Sequence, residues 1–106
     1  MNEILLAQVK RKLNITWEDA DTNARIDEMI ESAIPTMIHK LGIADKSFDF
    51  SDEGMENTLF KNYCLYEWNH SVNEFDDNYH NEIAQIRMIH EVKYYRENGG
   101  DDNAEE

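Results

Sequence analysis

Cross-links, chain breakers and positive charge are all scarce in this chain. It has one cysteine, Cys64, one proline, Pro35, and four glycines in 106 residues. A single thiol excludes an intrachain disulfide, and that usage fits a reducing, cytosolic compartment. Ten basic residues face 23 acidic ones, a net charge of −13. Such a surface repels phosphates and anionic lipid, which argues against an ordinary nucleic-acid binder and favours basic protein patches as partners. No stretch approaches the roughly 18 apolar residues of a membrane span. The apolar run Ile4 to Ala7 has no basic residue before it, so no secretory leader is expected.

Helical periodicity is abundant by contrast. Hydrophobic residues make up 41% of the chain, enough for one modest core, and neither an internal repeat nor a second domain is visible. The spacing predicts an all-α bundle of four main helices, at about residues 3–13, 22–41, 52–73 and 77–96. Leu6, Val9 and Leu13 define the first. The second carries Ile26, Met29, Ile30, Ala33, Ile34, Met37, Ile38 and Leu41 on one stripe at 100° per residue, with Gly42 where a C-cap needs a left-handed residue. Pro35 lies inside it and should bend it near residues 31–35. Ser51, ahead of Asp52 and Glu53, has the chemistry of an N-cap for the third helix. Gly99-Gly100 should end the fourth. Residues 97–106, with five acids and no base, read as a flexible acidic tail on a 1–96 domain.

The third and fourth segments have more apolar surface than one core requires. Leu59, Tyr63 and Tyr66 share one stripe of the third, while Phe60, Cys64, Trp68, Val72 and Phe75 take up much of its remaining circumference. The fourth has Tyr79, Ile83, Ile86, His90 and Tyr94 on one side, and Met88, Val92 and Tyr95 nearly opposite. A helix apolar on two sides must be central or must be covered by something else, and both cannot easily be central in four helices. Two readings are open. Either a core is left partly exposed, as apolar atoms often are, or the second sides are subunit interfaces, with Phe60, Trp68, Met88, Val92 and Tyr95 as candidates.

Catalytic chemistry has little to stand on. His70, His80 and His90 are ten residues apart on different turns, and there is no HExxH or paired Cys/His spacing, so no metal or cofactor is expected. The carboxylate pairs Asp52-Glu53 and Asp76-Asp77 sit at helix starts, where the helix dipole accounts for them. No phosphate-binding glycine loop and no nucleophile elbow occurs. Cys64 among aromatics reads as a buried thiol. The chain is expected not to be an enzyme.

A family resemblance adds to this reading. Leu6-x-x-Val9-Lys10-x-x-Leu13-x-Ile15, a connector holding Asp19 and Asp21, and Ile26-x-x-Met29-Ile30-x-x-Ala33-x-x-x-Met37-Ile38 together resemble the head–tail connector (adaptor) proteins of tailed bacteriophages and prophages. The likeness continues more loosely through Leu59 to Trp68 and Ile83-x-x-Ile86-Arg87. Pro35 and Glu67-Trp68-Asn69 depart from the pattern. The resemblance implies a structural subunit that assembles into a homo-oligomeric ring, twelve-fold in that family, beneath the portal protein. A tail-side completion protein would lie below it, and DNA would pass through the middle. It implies a place at the virion neck, reached from the host bacterial cytoplasm. By position it assigns portal docking to Tyr94, Tyr95 and Arg96 with the following tail.

A channel that conducts DNA should not bind it, and the flank of Asp27, Glu28 and Glu31 is the candidate lumen face, although an ordinary solvated flank has the same pattern. The rival function is an acidic inhibitory module, such as a DNA mimic occupying a basic cleft of a host protein. A mimic would space its carboxylates along a strip like phosphates, whereas many acids here cluster at helix starts and in the tail.

Overall fold

The computed structural model describes residues 2–99, and among them it is all-helical. Five α-helices follow one another: α1 (Glu3–Lys12), α2 (Ala20–Lys40), α3 (Met55–Trp68), the single turn α4 (Phe75–Asn78) and α5 (His80–Tyr94). A 3-10 turn (Val72–Glu74) leads into α4, and a π-turn (Tyr95–Gly99) extends α5. No helix among the described residues is long and apolar enough to cross a membrane. The expected tail starts within that π-turn, and its residues 100–106 lie outside the described residues.

Short polar side chains set the helix starts. Asn2 accepts the Leu5 amide at 3.0 Å, and Asp19 accepts the Thr22 amide at 2.9 Å, each satisfying a donor that the first turn leaves free. The third helix begins later than expected. Ser51 does not cap it; instead its amide and hydroxyl donate to Asp49 at 2.9 and 2.6 Å, closing a turn in the loop. That turn holds Ser51 in the loop, and α3 starts after Gly54, whose φ of +156° suits glycine.

Three helix ends share one device. Asn14, Gly42 and His70 have φ of 62°, 67° and 59°, each one residue beyond the helix cap. The following amides reach back to close the helix: Ile15 to Lys10 O at 2.9 Å, Ile43 to Ile38 O at 3.0 Å, and Ser71 to Tyr66 O at 2.8 Å. His70 therefore stops α3 at Trp68, short of the expected residue 73. The single fourth helix of the sequence reading is divided at Tyr79, where the backbone leaves helical geometry at φ −117°. Just before that break the Asn78 side chain donates to Tyr66 Oη of α3 at 2.8 Å. Around it, the rings of Tyr63, Tyr66 and Tyr79 meet Phe75 at 5.1, 5.6 and 4.9 Å, which docks α4 on α3.

The core runs between α1, α2 and α3, and α3 is the central helix. Leu5 and Val9 of α1 and Ile26, Ile30, Ala33 and Met37 of α2 close on Leu59, Phe60, Tyr63 and Cys64. The α2 stripe buries as its period requires, and the helix runs through Pro35 without ending. The loop after α2 completes the core rather than skirting it: Ile43 and Phe50 are buried, and Phe50 stacks on Phe60 with centroids 4.7 Å apart. Buried Asn57 holds this loop in place by donating to Phe50 O at 2.7 Å and to Gln8 Oε1 of α1 at 2.8 Å.

α5 behaves differently. Of its 15 residues only Ile86 is buried. The molecule measures 57 × 28 × 19 Å, and its radius of gyration of 15.8 Å exceeds the about 13 Å typical of a compact chain of this length. Central α3 explains one of the two doubly apolar segments. α5 is the one left uncovered.

Candidate functional site: the outer face of the last helix

One side of α5 is tied to the body. Arg87 Nη1 donates to the carbonyls of His39 and Lys40 at 3.0 Å each, placing a cation at the C-terminal, negative end of α2. His90 Nε2 lies 2.8 Å from Glu56 Oε2 of α3, and its ring meets the Phe48 ring edge-on at 5.8 Å. Ile86, Arg87 and His90 are one and three residues apart, so they share a face and fix the rotation of the helix.

That rotation sends the other face outward. Met88, Val92 and Tyr95 fall roughly opposite Ile83 and Ile86 at about 100° per residue. They are exposed by 66%, 45% and 62%, and Ile89 beside them by 53%. The sequence reading missed Ile89, although its position one residue after Met88 and three before Val92 puts it on the same side. A shallow apolar trough runs along this face, flanked by Lys93, Arg96 and Glu97.

The other candidates are distributed over the molecule. Phe60 is corrected: at 0% exposure, stacked on Phe50 within the central helix, it cannot meet a neighbouring chain. Trp68 is half-buried under the Arg25 guanidinium, 5.1 Å from its ring, in a hollow between α2 and α3 that Glu28 also lines. It is remote in kind from the α5 patch, being covered by its own chain. Tyr94 is exposed but lies on the body side of α5 beside Ile43, Ala44 and Phe48, so Tyr94 and Tyr95 occupy different faces. Glu28 and Glu31 are exposed and Asp27 half-buried, on the side of α2 away from Ile26 and Ile30.

Reactive groups do not converge on any of these surfaces. No cluster of three or more metal-ligating side chains occurs among the described residues. Burial pushes the Cys64 thiol up to about 12. Native protein should therefore resist a thiol reagent at about pH 8 and react once denatured; rapid labelling of the native chain would contradict the assigned burial. In the unfolded chain the thiol ionises near 9.0, whereas the folded one holds its proton to about 12. The native state binds the additional proton, so stability falls as pH rises through that window, and the buried Tyr63 hydroxyl, also shifted up by desolvation, acts in the same direction. The thermal midpoint should be lower at about pH 10.5 than at about pH 8.

Compared with protein-family models, curated proteins and solved structures, the chain has no significant match.

Proposed function

We propose that this chain is a structural subunit of a tailed-phage or prophage head–tail connector, which assembles with copies of itself under a portal protein and leaves a path for DNA. The reading is carried by the outward apolar face of α5, Met88, Ile89, Val92 and Tyr95, on a helix whose opposite face is pinned to its own body. The pattern resemblance of residues 4–96 supplies the particular assembly. The acidic flank of Asp27, Glu28 and Glu31 suits a lumen that repels phosphates.

Magnitudes favour assembly on a template over a tight dimer. Completing the burial of four half-exposed side chains is worth on the order of 4–6 kcal/mol. Pairwise association costs about 4–15 kcal/mol in lost freedom and ordering. One such contact leaves two free chains weakly associated. Held side by side on a portal, the same contacts form at high effective concentration and stabilise a ring.

Capture by the portal protein of the same phage tests the proposal. The wild-type chain should be captured, and Tyr94→Ala with Tyr95→Ala and deletion of residues 97–106 should reduce capture at least ten-fold while leaving the helical signal intact. Capture unaffected by the combined change would remove these residues from docking. No capture of the wild type, together with binding to a basic nucleic-acid-binding enzyme of the host, would favour the inhibitory reading.

A further inference from the structure

A large groove lies at the other end of α5. It has a volume of about 630 Å³ and is walled by α1, the first half of α3 and the first turns of α5. Leu59 and Ile86 line its floor, with Arg11 and Lys61 on its walls beside Glu53 and Glu82. Arg11 and Lys61 belong to none of the ion pairs among the described residues. Two cations and two carboxylates make this groove electrically balanced in a chain of net charge −13.

The outer trough of α5 is another surface without an excess of negative charge. Its apolar centre of Met88, Ile89 and Val92 is bordered by Lys93, Arg96 and Glu97, two cations and one carboxylate. Copies with so large a like charge repel one another, and close approach is least costly where local charge balances. The two surfaces also match in kind. One is an exposed apolar helix face with cations at its edge, the other a groove with carboxylates and free cations on its walls.

We propose that the outer face of α5 of one copy seats in the α1–α3–α5 groove of a second copy, with Lys93 and Arg96 facing Glu53 and Glu82, and Glu97 facing Arg11 and Lys61. This rests on the connector reading and deepens it by naming the receiving surface. Donor and acceptor are different patches at different places on the molecule, so the contact is head-to-tail. Each copy keeps a free groove and a free helix face after pairing, and the chain of contacts ends only by closing on itself. An isologous pairing of two α5 faces would stop at a dimer and would bring Lys93 and Arg96 of each copy together.

Disulfide trapping between full-length chains tests this without a portal and without tight binding. Thr58 is an exposed residue of the groove wall. A Val92→Cys chain is mixed with a Thr58→Cys chain under oxidised glutathione, with Ser32→Cys, on a different face of the molecule, as the control partner. The mixed Val92→Cys/Thr58→Cys dimer should exceed both homodimers and the control at least five-fold. Adding Arg11→Glu and Lys61→Glu to the Thr58→Cys chain should reduce its yield at least three-fold. Predominance of the Val92→Cys homodimer would overturn the proposal in favour of a symmetric pairing, and equal yields with the control would overturn it outright. Loss of the mixed disulfide with portal capture intact rejects only the groove; loss of capture with the disulfide intact rejects only the connector reading.

Discussion

Val92→Asp should leave the chain folded and prevent it from assembling on a portal. Val92 is 45% exposed in the isolated chain, so the substitution places a carboxylate where water already reaches. The expected change in unfolding free energy is within about 0.5 kcal/mol. In an assembled state the same carboxylate would be pressed into an apolar contact without a partner, at a cost of several kcal/mol. The number of chains retained per portal should fall at least a hundred-fold while the thermal midpoint stays within a few degrees. A Val92→Asp chain that assembles normally would place the contact elsewhere, and one that unfolds would show that α5 is covered by its own body.

Phe60→Ala should have the opposite profile. The ring is fully buried and stacked on Phe50, in the helix against which α1 and α2 both pack. Its removal should cost about 3–5 kcal/mol, because neighbours from three directions cannot all collapse into the space. Against a typical total of about 5–15 kcal/mol, this is a large share of stability. A urea titration should show the midpoint fall sharply with little change in slope. Together the two substitutions separate the two doubly apolar helices: one side chain holds a single copy together, and the other is proposed to hold copies to each other.

How far these roles could be read from the sequence depends on whether the deciding interactions were local. The α2 stripe from Ile26 to Leu41 and the Gly42 cap are set by spacing within one helix, and both appear in the structure as spacing implies. The ends of α3 are set by chemistry that pattern does not reveal. Asp49 takes Ser51 for a loop turn, and His70 accepts a left-handed conformation that glycine or asparagine would have advertised. The division at Tyr79 depends on a ring cluster assembled from residues 63 to 79, a tertiary effect.

Which of the two greasy helices lies in the centre was not a local question either. Phe60 and Val92 each look like second-face residues on a helical wheel. Phe50, arriving from a loop, covers the first, while Arg87 and His90, reaching α2 and α3, turn the second outward. A guanidinium bonded to two carbonyls some 47 residues away leaves no periodic trace. The receiving groove is likewise formed by three segments distant in sequence.

Oxidative footprinting of Met88 and Tyr95, in the free chain and in the portal-bound assembly, tests the central claim most directly. Both side chains are more than half exposed in the isolated chain, at 66% and 62%, and both should be labelled readily there. On assembly their labelling should fall several-fold, while that of Trp17, exposed by 55% on a different part of the surface, stays unchanged. Undiminished labelling of Met88 and Tyr95 in the assembled state would show that no neighbouring molecule covers the outer face of α5.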